Sequence, residues 1–188
     1  MNYELLVAVI GAIWVGSEIV LAALRHSRRG ESERHDRLSI ILLWIFITAS
    51  VFLAAVLRGV RAAHMRGGAT TFLIGVALIV LGLAIRWTAV VTLWRYFTVD
   101  VSIRRDHRVI HHGIYRIIRH PAYLGSLISF IGLGVTFMNW LSLAAIVIGT
   151  LIVFSYRIAV EERALVTALG DEYRAYAART KRLIPGVY

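Results

Sequence analysis

The chain has 188 residues, of which 59% are hydrophobic and 17% charged, and its mean hydropathy is +0.71. A soluble domain carries roughly 45–50% apolar and about 25% charged residues, and a chain this short cannot turn so much apolar surface inward. An ordinary water-soluble domain, a disordered chain and a secreted disulfide scaffold are excluded; the bilayer is the solvent implied.

In chain order, five apolar runs have spanning length, since about 20 helical residues cross the hydrocarbon. The first covers about Tyr3–Leu24. It is no signal peptide, because its start lacks basic residues and its apolar stretch is too long. The second covers about Leu38–Leu57 and the third about Thr71–Thr92, with a continuation to Phe97 left open. The fourth, about Pro121–Met138, is joined to the fifth, about Trp140–Val160, by almost nothing, which predicts a tight antiparallel hairpin. Pro121 suits the first position of a helix. In the tail, Leu165, Leu169, Tyr173 and Tyr176 share one face, which packs on the inner side of the membrane. Gly170 followed by Asp171 reads as one helix stopping and another being capped.

Charge gives the orientation. The loop Arg25–Arg37 carries five Arg, the loop Arg95–Arg119 six, and the tail from Arg157 five Arg with Lys181. The loop Arg58–Thr70 carries three Arg and the turn at Asn139 none. An outside N-terminus places 17 basic residues in the cytosol and three outside, so N-out and C-in is expected. This clustering, facing anionic lipid, accounts for the formal charge of +10 without a nucleic-acid partner. Cysteine is absent, which excludes thiolate chemistry and Cys-based metal sites.

Three groups of residues bear chemistry. Glu18 and Arg86 each stand 15 residues into a span, about 22 Å down toward the inner leaflet. Two readings are compatible: an ion pair locking two helices, and an Arg86 that receives an anionic substrate group. Asp106–Tyr123 concentrates His, Arg and Tyr at the inner face. His107, His111, His112 and His120 lack a convincing carboxylate partner, so no metal is expected. Snorkelling explains Tyr115 and Arg116 but not the histidines beside Gly113 and Pro121. Arg157 and Glu161, one helical turn apart, share a face and suit a helical ion pair. Glu161 and Glu162 are adjacent carboxylates, and a cationic ligand explains them better than water does. An onium cation with an amino-acid end and a ribose, such as S-adenosylmethionine, fits the collection. No Gly-rich nucleotide turn is present to hold it in the usual soluble manner.

The runs His107-Arg108-Val109-Ile110, Gly113-x-Tyr115 and Arg119-His120-Pro121-Ala122-Tyr123-x-Gly125 resemble the signature of the isoprenylcysteine carboxyl methyltransferases. So do Glu161-Glu162-Arg163-Ala164-Leu165, then Gly170-Asp171-Glu172-Tyr173 with Tyr176, and the closing Arg182-Leu183-Ile184-Pro185-Gly186. Upstream, Arg95-Tyr96-Phe97-Thr98 resembles the segment leading into the cofactor site. RHPxY alone is less specific, being shared with phospholipid N-methyltransferases and some sterol reductases. The resemblance covers about 86–188 and implies an S-adenosylmethionine site lined by His107, Val109, Ile110, Tyr115, His120, Pro121, Ala122, Tyr123 and Glu161, with Ser102 just upstream. It implies an Arg157 that faces the substrate carboxylate, with Arg86 a second candidate. The His111-His112 pair and Arg104-Arg105-Asp106 lie outside the pattern.

The expectation is therefore an all-α, polytopic integral membrane protein of one domain, 1–188, with about five transmembrane helices. The signature region is 86–188, and substrate choice is assigned to the spans within 1–70. The expected activity is methyl transfer from S-adenosylmethionine to a carboxylate on a lipophilic substrate, with Arg157 and Glu161 as the catalytic pair. Lipid N-methylation, phenolic-lipid O-methylation and a non-enzymatic membrane scaffold are the alternatives. The membrane would be the cell inner membrane in a bacterium.

Overall fold

The computed structural model describes residues 3–25, 32–97, 101–104 and 108–184. His107, Thr98, Pro185 and Gly186 lie outside the described residues. Among the described residues there are five α-helices: α1 (Tyr3–Arg25), α2 (Arg37–Leu57), α3 (Gly68–Leu93), α4 (Pro121–Thr136) and α5 (Trp140–Arg179). Each expected apolar run is one of them. The third starts three residues early, at Gly68, and ends in a 3-10 turn, Trp94–Tyr96, short of Phe97. The fold is all-α except for a two-stranded antiparallel ribbon. There β1 (Ser32–Asp36) pairs with β2 (Val101–Arg104), Glu33 opposite Ile103, with a bulge between Arg34 and Asp36. Both strands fall in stretches expected to be plain loops.

By length and composition, α2, α3 and α5 are long and apolar enough to cross a membrane. The apolar helix α4 has only 16 residues, about 24 Å at 1.5 Å per residue. Its position explains its brevity. Pro121, Ala122, Gly125, Ser126, Ser129, Phe130 and Gly132 are all buried, so α4 is the centre of the bundle rather than its lipid-facing wall. By contrast α2 exposes Phe52, Leu53 and Val56. That outward apolar surface is what hydrocarbon covers.

Glycine sets the approach of α3 to α4. A Cβ on Gly75 would stand 2.8 Å from the carbonyl of Gly132, and one on Gly125 would stand 2.6 Å from that of Gly82. The backbones therefore meet along two glycine pairs spaced by seven residues, the close packing that small residues permit where lipid supplies no hydrophobic drive. Ser129 Oγ donates to the Ile79 carbonyl across the same seam at 3.2 Å.

The hairpin between α4 and α5 is pinned by Asn139, which is fully buried. Its Oδ1 accepts from the backbone N–H groups of Leu141 at 2.9 Å and Ser142 at 3.2 Å, and its Nδ2 donates to the Val60 carbonyl at 3.0 Å. One side chain thus caps α5 and ties the turn to the α2–α3 connection. At the other end, α5 breaks at Gly170, whose φ of 55° and ψ of −127° lie outside the helical region. Glycine occupies positive φ without the steric cost other residues carry. Asp171 is exposed there and accepts from Arg174 at 2.7 Å.

Candidate active site

The helices and the loop ahead of α4, the expected inner loop, line a cavity of about 500 Å³. Its α5 wall is a single helical face: Phe154, Arg157, Glu161, Leu165 and Leu169 recur at three- and four-residue steps, with Tyr173 and Tyr176 following beyond the break. Its α4 wall is a second such face, Tyr123, Ser126, Phe130 and Leu133. The α4 wall changes from polar to apolar along its length, while on α5 the two charged residues stand between Phe154 and Leu165. The apolar end is completed by Ile10 and Trp14 of α1 and by Leu43, Trp44 and Ile47 of α2. The opposite end is closed by Val109, Ile110, Tyr115 and His120 of the inner loop.

Tyr123 joins two charged residues of α5. Its hydroxyl accepts from Arg157 Nε at 3.0 Å and donates to Glu161 Oε2 at 3.0 Å. Arg157 Nη1 also donates to Ser39 Oγ at 2.9 Å, so α2 helps to fix the guanidinium. Arg157 is 4% exposed. A buried guanidinium with a fixed orientation is a preorganised anion donor.

The second carboxylate has another occupation. Glu162 accepts from Arg119 Nε at 2.8 Å and from Arg182 Nε at 2.8 Å, and His120 Nε2 lies 3.4 Å away. Burial works against its charge, yet the hydrogen bonds and charges of His120 and Arg119 outweigh it and hold the carboxyl down at about 2. The expectation that a bound cation explains both carboxylates is corrected: Glu162 is neutralised by the chain's own arginines. Arg119 further donates Nη1 to the Ala177 carbonyl at 2.9 Å and to that of Thr180. The backbone completes this clasp, with Arg119 N–H donating to the Lys181 carbonyl at 2.7 Å and His120 N–H to that of Arg182 at 3.0 Å. Tyr176 donates to the Tyr115 carbonyl at 2.7 Å.

Two phenols of the inner end remain neutral donors. Burial pushes Tyr115 well up, with Glu161 adding to the effect. Burial also raises Tyr173, followed by the charges of Glu162 and Glu161. The buried Tyr173 hydroxyl has no hydrogen-bond partner among the described residues.

Of the residues expected at the site, Arg86, Val109, Ile110, Tyr115, His120, Ala122, Tyr123, Arg157 and Glu161 all line this cavity. Pro121 does not. It is buried at the first position of α4, where its missing N–H costs nothing, and it turns the chain into the helix. Ser102 lies in β2. Among the described residues no group of three or more His, Asp or Glu is placed to hold a metal. The tail leucines and tyrosines, read from sequence as packing residues, are cavity walls. Ser39, Ser126 and the aromatic lining of α1 and α2 were not foreseen. The spacing of Tyr123, Ser126, Phe130 and Leu133 was the available signal.

Comparison with known proteins agrees with this arrangement. The profile of the isoprenylcysteine carboxyl methyltransferase (ICMT) family matches residues 74–167. The chain is 33% identical over 175 residues to a probable protein-S-isoprenylcysteine O-methyltransferase of Oryza sativa subsp. indica, covering 92% of this chain and 91% of that protein. It is 42% identical over 72 residues to methanethiol S-methyltransferase 1 of Bradyrhizobium diazoefficiens, covering 38% of this chain and 24% of that protein. Among solved structures, the eukaryotic intramembrane Ras methyltransferase ICMT is similar with a TM-score of 0.60 at 25% identity, over 80% of this chain. This chain spans about half of that one, 52%. A bundle built around a closely packed α3–α4 seam, a cavity polar at one end and apolar at the other, and these likenesses lead to one conclusion: the chain belongs to the isoprenylcysteine carboxyl methyltransferase family and is an integral membrane methyltransferase.

Proposed function

We propose that the protein transfers a methyl group from S-adenosylmethionine to a carboxylate at the end of a lipophilic chain. The observation that carries this reading is the Arg157–Tyr123–Glu161 chain, set where an apolar pocket meets a polar one. An acceptor tail suits Trp14, Leu43, Trp44, Phe130 and Leu133, and its carboxylate suits Arg157. A carboxylate is an anion at neutral pH and needs no base, whereas a phenol or a lipid ammonium must first lose a proton. The tasks left to the protein are positioning and exclusion of water.

The inner end of the cavity fits S-adenosylmethionine. Aromatic faces and a carboxylate suit a sulfonium cation, and Tyr115, Tyr123, Tyr173 and Glu161 supply them. The unpartnered Tyr173 hydroxyl is a donor that a ligand's carboxylate or ribose would satisfy. Val109, Ile110, His120 and Ala122 would complete the enclosure, with His107 and Ser102 assigned to the same ligand by the resemblance. When bound, S-adenosylmethionine supplies an electrophilic methyl group. Around it, Tyr123 would hold Glu161 and Arg157 in register, and the Glu162 clasp would hold His120.

The relatives bear names with different acceptors, an oxygen of protein S-isoprenylcysteine in one and the sulfur of methanethiol in another. The decisive experiment is therefore methyl transfer from labelled S-adenosylmethionine to matched carboxylate, phenol and amine lipids by the purified protein in detergent. Preferential labelling of the carboxylate supports the reading. Labelling confined to the amine or phenol replaces it, and absence of saturable cofactor binding removes it.

A further inference from the structure

Glu18 and Arg86 form a two-point ion pair. Arg86 Nε and Nη2 donate to the two Glu18 oxygens at 2.6 Å each, and Arg86 Nη1 donates to Ser126 Oγ at 3.0 Å. All three guanidinium nitrogens are engaged, yet both side chains line the cavity, with 14% of Arg86 and 23% of Glu18 exposed. Their level is fixed by their neighbours. Along α4 the wall runs Tyr123, Ser126, Phe130, Leu133, and along α1 it runs Glu18, Trp14, Ile10. The pair therefore stands between the Arg157 end and the apolar end, level with Ser126.

An unmasked guanidinium at that level would be a second anion site, one turn from the first, in a setting of low dielectric where charges act strongly. Glu18 cancels its charge and occupies its fork. A second anion brought there loses its water, finds the Arg86 fork already taken by Glu18 and faces a carboxylate. We propose that Glu18 is a specificity-determining residue: by masking Arg86 it restricts the acceptor to lipids whose only anionic group is the terminal one, and excludes lipids with a second anion beside it, phosphodiesters included. The proposal rests on the carboxylate reading above and adds a residue and a substrate restriction to it.

The test compares two probes that differ by one carboxylate, an N-acetyl S-prenylcysteine and its N-succinyl counterpart. The ratio of kcat/KM, monoacid over diacid, should fall about tenfold in Glu18→Gln, because the unmasked Arg86 now welcomes the second anion. Arg86→Gln should move the ratio the opposite way, since it leaves Glu18 to repel. Glu18→Gln combined with Arg86→Gln should return the ratio toward wild type. A pair that serves only to tie helices would lower thermal stability in the single variants and leave the ratio unchanged, and that result overturns the proposal. So does failure of both single variants to fold while the double variant folds. If the wild type methylates neither probe, the carboxylate reading has failed. The same ratios are then read from equilibrium binding through quenching of tryptophan fluorescence, with Trp14 and Trp44 lining the cavity. Those ratios judge Glu18 independently of turnover.

Discussion

At the scale of single residues, the site depends on how few side chains face the cavity with charge. Arg157→Lys keeps the cation and removes the planar fork. Its turnover with a carboxylate lipid should fall about ten- to a hundredfold, the equivalent of one charge-assisted hydrogen bond, and Arg157→Ala should fall further. Cofactor affinity, measured on the same preparations, should stay close to wild type. A full turnover in Arg157→Ala would take the carboxylate away from this residue. Glu161→Gln keeps shape and removes the anion, so S-adenosylmethionine should bind more weakly while S-adenosylhomocysteine, which lacks the sulfonium charge, is affected less. Titration calorimetry with both ligands checks this; equal losses would make Glu161 a ribose acceptor instead. Spacing alone put Arg157 and Glu161 on one helical face. It gave no hint of the bridging Tyr123, because a hydroxyl from 34 residues earlier in the chain meets them only once α4 is folded against α5. For the same reason Glu162 read as a ligand for a foreign cation: Arg119 and Arg182 lie 43 and 20 residues away.

At the scale of elements, the apolar runs were legible because period and length determine what a bilayer accepts. The ribbon was half legible. Val101-Ser102-Ile103-Arg104 alternates as a strand does, but its partner Ser32–Asp36 is wholly polar and carries no alternation. The α3–α4 seam was written in Gly75, Gly82, Gly125 and Gly132, yet glycines seven apart name a close contact only when the facing helix is known. The clasp that links α4, α5 and the segment after it yields a pH prediction. The Glu162 carboxyl is held at about 2 against an ordinary 4.5, so its stabilisation is complete above about 4.5 and is lost as pH falls toward 2. Thermal unfolding in detergent should be flat from neutral pH to about 5 and should fall below that, with the acid-side fall reduced in Glu162→Gln. An identical acid limb in the variant would show that other carboxylates set it.

For the whole molecule, the asymmetry of arginine predicts the orientation. A reporter placed after Tyr188 should behave as cytosolic and one placed before Met1 as external. The same behaviour at both ends would mean that the number of crossings or their direction is different. The fold class followed from composition, since 59% hydrophobic residues in 188 leave few alternatives. The division of labour within the cavity did not. Its apolar end draws Ile10, Trp14, Leu43, Trp44 and Ile47 from α1 and α2, which lie within 1–70 and outside the signature region, so side chains with no recognisable motif help to line the end proposed for the acceptor tail.

The face of α5 that carries Phe154, Arg157, Glu161 and Leu165 is one uninterrupted stretch of helix ahead of Gly170. Groups on such a stretch keep a constant separation, because hydrogen bonds along the axis make it stiff. In the proposed reading the head of an acceptor is thus gauged from a fixed datum, while its tail runs toward side chains borne by separate helices. A protein built this way measures from one end only. It should be strict about the atoms within a few bonds of the methylated group and lenient about how far the hydrocarbon extends, so lengthening a prenyl or acyl chain by one unit should change kcat/KM far less than moving the carboxylate by one carbon.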